Sequence, residues 1–345
     1  MLQPHHRLAI LLHDGLTGAG GKTGISLLRY SELPIVAVID QSSVGQSLAD
    51  LVGIGRDIPI VASVADALAF QPDVLAIGIA PSGGALPDPW KQEIQTAVAA
   101  GLSVVNGLHT PMASDPLFKI VKADQWIWDV RREPAGLTIG QGRARSLPCR
   151  RVLAVGTDMS VGKMSTCLEL HRVCRERGLR SRFLATGQTG LMLGEDGIPL
   201  DAVRIDFAAG AVEQLVIKYG QDHDILFVEG QGSLMHPGST ATLPLIRGSQ
   251  PTHLVLVHRA GQAHIRDLPD FPIPPLPEAI RVYETVAGAG GAFAPVKVAA
   301  IALNTFHLPE AAAKAAIEQA HQETGLPCTD VIRFGAEAIA DVLIQ

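Results

Sequence analysis

The chain has 345 residues, of which 47% are hydrophobic and 18% charged, and it carries a net charge of −6. That balance provides no basic footprint, so we expect no nucleic-acid partner, and no apolar run approaches the roughly 18 residues of a membrane span. Four cysteines without paired spacing, and an opening apolar run (residues 8–12) too short for a signal-peptide core, lead us to expect a cytoplasmic protein with no membrane partner.

The length allows two domains with separate cores. In the first half, residues 8–12, 35–39, 74–79 and 103–105 read as strands with helices between them. The clearest helix is 89–100, which opens on Pro89 and stops before Gly101. This alternation predicts an α/β fold built on a doubly wound parallel sheet. Gly15-x5-Gly21-Lys22-Thr23 has the spacing of a phosphate loop, but the helix it opens reads as ending near Tyr30, and we treat it as a decoy. Asp40 ends the second strand, where a dinucleotide fold places its ribose-binding acid, yet no Gly-x-Gly-x-x-Gly accompanies it. Ser82-Gly83-Gly84 follows the third strand and is a second candidate for that crevice.

Residues 135–149, with their glycines, arginines and Pro148, read as a linker. Beyond it, 152–155, 182–185, 225–228, 253–257 and 298–303 read as strands of a second alternating unit. The proline-rich stretch 268–277 cannot join a central sheet and reads as a surface loop or lid. An alanine-rich helix over 311–322 stops near Gly325 and Pro327.

The most informative segment is Gly156-Thr157-Asp158-Met159-Ser160-Val161-Gly162-Lys163, set between the strand 152–155 and an amphipathic helix over 164–177 closed by Gly178. In that context backbone N–H groups and the helix N-terminus meet phosphate oxygens while the lysine supplies charge. We therefore take Gly156, Thr157, Asp158, Ser160, Val161, Gly162, Lys163, Met164 and Ser165 as cofactor-binding candidates. The spacing is one residue longer than Gly-x4-Gly-Lys-[Ser/Thr], and Met164 stands where the magnesium-binding hydroxyl belongs. A phosphorylated ligand is expected, and metal-assisted ATP chemistry is in doubt.

Glu229 follows the strand 225–228, at the carboxyl end where α/β folds bind ligands. An acid there can bind magnesium, accept a proton or orient an amine, or simply cap the next turn. His236 is a second candidate proton acceptor. Asp206 and Glu213 are weaker ones, each also compatible with a solvated helix face. In Thr186-Gly187-Gln188-Thr189-Gly190 two glycines bracket polar groups, which makes Gln188 a contact candidate. Asn304 closes the strand 298–303 and either reads a base edge or holds a loop. Cys167, His171 and Cys174 share a helix face, but their leucine neighbours favour core packing over zinc. No metal ligands are assigned.

Gly156-Thr157-Asp158-x-x-Val161-Gly162-Lys163 resembles the loop of dethiobiotin synthetase, longer spacing included, and Val228-Glu229-Gly230-x-Gly232 resembles its acidic strand end. A closer resemblance is to a family with an N-terminal Rossmann-like and a C-terminal P-loop domain. It rests on Gly162-Lys163-Met164-Ser165-Thr166, Ala185-Thr186-Gly187-Gln188-Thr189-Gly190, Asp206-Phe207, Glu229-Gly230-Gln231-Gly232-Ser233-Leu234, His236-Pro237 and Leu303-Asn304-Thr305. It covers nearly the whole chain, and Met164 belongs to it. The resemblance implies a Rossmann-like domain over 1–140, a linker over 141–150 and a P-loop domain over 151–345. It further implies acetyl-CoA-dependent N-acetylation of a small amino acid, D-glutamate or another D-amino acid; apart from the resemblance, we expect a homo-oligomer. Glu229, Asp206 or His236 would then take the proton of the attacking amine. The alternatives are an ATP- and magnesium-dependent ligase or kinase of the dethiobiotin synthetase type, and a nucleotide-binding regulator without turnover.

Overall fold

The computed structural model describes residues 2–80 and 86–345, so Ser82-Gly83-Gly84 lies outside the described residues. The chain divides into two units, Met1–Arg132 with Leu191–Gly194, and Glu133–Gly190 with Glu195–Gln345. Each has its own apolar core.

In the N-terminal unit the order is β1 (Leu8–Leu11), α1 (Lys22–Tyr30), β2 (Ile35–Ile39), α2 (Leu48–Val52), β3 (Ile60–Val61), α3 (Val64–Ala67), β4 (Val74–Ile77), α4 (Asp88–Ala99), β5 (Ser103–Asn106) and β6 (Ile127–Asp129). The strands line up as β3-β2-β1-β4-β5-β6, every pair parallel. That is the doubly wound order, with its switch between β1 and β4. Every residue of β1, β4 and β5 is buried, which is why they read as unbroken apolar runs. The edge strands β3 and β6, of two and three residues, are too short to leave such a run. Asp40 is committed locally: its carboxylate accepts from the Asp14 and Ser42 amides and from the Ser42 and Ser43 hydroxyls.

The C-terminal unit continues with β7 (Arg150–Gly156), α5 (Lys163–Glu176), β8 (Ser181–Leu184), α6 (Gln188–Met192, of which Gln188–Gly190 belong to this unit), α7 (Ile205–Gly220), β9 (Ile225–Val228), α8 (Thr242–Ser249) and β10 (His253–Arg259). After these come β11 (His264–Ile265), β12 (Leu268–Pro272), α9 (Leu276–Ala287), β13 (Val298–Asn304), α10 (Glu310–Thr324), β14 (Cys328–Thr329) and α11 (Glu337–Ile344). Its sheet runs β14-β13-β10-β7-β9-β8, again parallel throughout. The proline-rich segment stays out of that sheet, as its missing donors require, but it is not plain loop: β11 and β12 pair as a separate antiparallel ribbon and α9 follows.

The stretch where the sequence suggests a linker packs within the C-terminal unit. Glu213 on α7 is fully buried, and its carboxylate accepts from the Gln141 and Arg143 amides and from Arg143 Nε. Gly210 allows this approach, since a Cβ there would lie 1.7 Å from the Thr138 carbonyl oxygen. Glu213 is therefore no solvated helix face. Burial raises its pKa, but the bonds from Arg143 and Gln141 outweigh it and hold the carboxyl below its ordinary value. Cys167 and Cys174 are fully buried on α5, and His171 bonds the Ser181 hydroxyl at 2.8 Å. That is the packing reading of this trio.

Candidate functional site

β7 is flanked by β9 and β10, with Leu153 opposite Val228 and Gly156 opposite Val257. The chain leaves β7 for β8 on one side, and returns across β7 from β9 to β10 on the other. The carboxyl end of β7 is thus a switch point, where the diverging crossovers open a crevice. The segment leaving β7 there is the glycine loop that enters α5.

Two residues of this loop take left-handed backbone conformations, Ser160 at φ 57° and Gly162 at φ 118°. Left-handed turns in succession with right-handed ones point consecutive N–H groups inward and form an anion-binding concavity. For Ser160 the conformation costs about 1 kcal/mol, so the surroundings must impose it. They do so from four directions. The Thr157 hydroxyl bonds His258 Nδ1 at 2.8 Å. Asp158 Oδ2 accepts from Gln262 Nε2 at 2.6 Å and from the Arg266 amide at 2.8 Å. Asn304 Nδ2 donates to the Val161 carbonyl at 3.0 Å, and Tyr283 OH donates to that of Gly156 at 2.6 Å. Burial holds the His258 imidazole down at about 4, so it bonds Thr157 as the neutral ring.

Lys163 is buried at the start of α5, and its ammonium donates to the Asp158 carbonyl at 2.8 Å. Glycines on either side make room for it. A Cβ on Gly156 would stand 3.0 Å from Lys163 Nζ, and one on Gly230 would stand 2.9 Å from its Cδ. Beside Gly230, Glu229 is buried at the end of β9. Its Oε2 accepts from the Thr186 amide at 2.9 Å and the Gly187 amide at 3.1 Å, while its carbonyl accepts from the Thr186 hydroxyl at 2.8 Å. Three strand ends therefore converge here, and the lysine, the carboxylate and the glycine loop all stand at the carboxyl edge of the sheet.

Residues 138–340 match the C-terminal P-loop domain of DUF1611, described as a domain of unknown function, and residues 41–133 match its N-terminal Rossmann-like domain. The chain belongs to the DUF1611 family. A DUF1611 protein of Anabaena variabilis, known from its crystal structure, is 64% identical and superposes with a TM-score of 0.96 over 99% of this chain and 100% of that one. Two relatives are named D-glutamate N-acetyltransferase. The one from Tritonibacter scottomollicae is 38% identical over 305 residues, 87% of this chain and 90% of that protein. The one from a Pseudoalteromonas species is 34% identical over 281 residues, 80% and 83% respectively.

Other candidate residues of this DUF1611 protein sit at varying removes from the loop. Met164 and Ser165 are half-buried in the first turn of α5, and the Thr166 hydroxyl donates back to the Gly162 carbonyl at 3.1 Å. Gln188 is buried at the start of α6. Asn304 holds the loop, and its Oδ1 also accepts from the Phe306 amide at 3.2 Å. Asp206 is exposed in the first turn of α7, and His236 Nδ1 accepts from the Gly238 amide within its own turn. No group of three or more metal-capable side chains occurs among the described residues.

Sequence reasoning passed over Tyr283, His258, Gln262 and Arg266. His258 carried a usable signal, a polar residue at a strand's carboxyl end like Glu229. Tyr283 lies on an amphipathic helix and carried none. Its hydroxyl also accepts from the Leu234 amide at 3.1 Å, joining the β9 loop to the end of β7.

Proposed function

We propose that this protein transfers the acetyl group of acetyl-CoA to the amine of a small D-amino acid, with D-glutamate as the first acceptor to test. The names of the two relatives support the transfer and the acceptor. The observation that carries the donor is a phosphate loop shaped by Ser160 and Gly162, supplied with Lys163, and followed by Met164 in place of a magnesium-binding hydroxyl. Coenzyme A offers a pyrophosphate and a 3′-phosphate for such a loop to hold, and its thioester reacts with an amine without ATP. The loop amides and Lys163 bind phosphate. Glu229 takes the proton that the amine must shed to attack, and the Thr186 and Gly187 amides keep its carboxylate in place. As the N–C bond forms, the C–S bond breaks, and the second proton that the nitrogen then loses goes to the sulfur, which leaves as the free thiol of CoA.

The test is incubation of the purified protein with acetyl-CoA and a panel of D- and L-amino acids, reading thiol release and product mass. We expect an N-acetyl-D-amino acid with thiol released in equal amount. Release of ADP from ATP and magnesium, with no acetylated product, would hand the site to the ligase or kinase reading.

A further inference from the structure

The loop that follows β13 is pinned from both sides, yet it presents an aromatic ring to solvent. The Thr305 amide and hydroxyl donate to Asp330 Oδ2 at 2.8 and 2.6 Å. Arg333 Nη1 donates to the carbonyls of Thr305 and Leu308 at 2.9 and 2.8 Å. The Phe306 amide donates to Asn304 Oδ1, and the same Asn304 side chain holds Val161 of the phosphate loop. One side-chain amide therefore spans from the phosphate loop to the backbone of Phe306. Despite this rigid frame Phe306 is 75% exposed, more than any other large apolar residue among the described residues. Arg259, opposite Asn304 in the strand register, places its guanidinium over that ring at 5.8 Å from the centroid.

A single exposed apolar side chain usually needs no explanation. Here three features coincide: a preorganised backbone, a guanidinium on the ring, and a phosphate loop one side chain away. We infer that Phe306 is the stacking platform for the purine base of the phosphorylated ligand, with Arg259 beside it. Stacking on an aromatic face, assisted by an arginine, is how proteins hold a base without reading its edges. A ribose separates base from phosphate in an adenine nucleotide, which suits a platform set beside the phosphate loop. The inference rests on the phosphate-loop reading above, and it applies to CoA and to ATP or ADP alike, since all carry adenine.

The experiment is titration calorimetry of the full chain and its F306A and F306W variants with three ligands. Acetyl-CoA and ADP carry adenine, whereas acetyl-phosphopantetheine keeps the thioester and a phosphate but lacks the adenosine. We expect F306A to weaken acetyl-CoA and ADP roughly tenfold to a hundredfold, to leave acetyl-phosphopantetheine unchanged, and F306W to restore binding. Equal losses for all three ligands, or no loss for acetyl-CoA and ADP, would overturn the inference, as would a native chain that binds no adenine compound. A native chain that binds ADP but not acetyl-CoA, with the F306A loss confined to ADP, would support the base platform and overturn the acyl-donor reading.

Discussion

Lys163 and Glu229 follow the neighbouring strands β7 and β9 but differ in what their surroundings ask of them. The lysine stem runs past Gly230 and its ammonium rests on the Asp158 carbonyl, within the loop it would serve. Removing it takes away a charge-assisted bond to phosphate, typically about 1.5–3 kcal/mol. We expect K163A to bind acetyl-CoA at least tenfold more weakly by calorimetry while retaining a cooperative thermal unfolding transition. Unchanged affinity in the folded variant would remove phosphate binding from this loop. Glu229 is clamped through one oxygen by two amides, a role that a glutamine carbonyl can keep. The E229Q variant should therefore hold its cofactor affinity and lose turnover by about 10²–10⁴-fold, the usual worth of a general base. A loss of less than a few-fold would move the base elsewhere, with Asp206 and His236 next to be tested.

The element that organises the site is β7 with its loop and α5, and its tightest neighbour is the end of β9. A Cβ on Gly230 would fall 1.7 Å from the Ala154 carbonyl oxygen, an overlap of backbone with no flexible side chain to yield. Relieving it means prying β9 from β7. We expect G230A to cost about 3 kcal/mol or more in urea unfolding, whereas G55A, with open space around it, should stay within about 0.5 kcal/mol. Equal stability of the two variants would show that the strand ends do not need this approach. Backbone conformation, rather than crowding, sets where α5 begins, since Gly162 can adopt the φ of 118° that turns the loop into the helix.

For the whole molecule, pH is the global variable that two histidines of the C-terminal unit make informative. Burial holds His258 and, with help from Arg175 and Arg182, His171 down at about 4. In the unfolded chain both return to their ordinary value near 6.5. Between these limits the unfolded state binds more protons, so stability is full above about pH 6.5 and falls as the pH drops toward 4. His258 alone accounts for about 3 kcal/mol of that fall. Glu213, held below its ordinary carboxyl value, adds a further loss in the same direction at still lower pH. Urea unfolding of the C-terminal unit at pH 7.5, 6 and 5 should show the decline, and H258Q should flatten it. A stability that stays level or rises between pH 7 and 5 would contradict these assignments.

Local pattern alone determined the parallel α/β class, most strands, and the phosphate loop, because each is written in a contiguous run: an apolar stretch buried on both faces, or glycines and a lysine between strand and helix. Glu229 was legible for the same reason, as a charge at the end of such a run. What only the tertiary structure decided is which distant side chains hold the loop. His258 lies 101 residues from Thr157, Tyr283 lies 127 from Gly156, and Asn304 lies 143 from Val161. These partners meet because β10 and β13 lie on one side of β7 and β9 on the other. That strand order is set by how the crossovers pack, which no local periodicity encodes. Packing likewise buried Glu213 against residues 141–143 and left Asp206 exposed, although in the chain both read as acids on one helix.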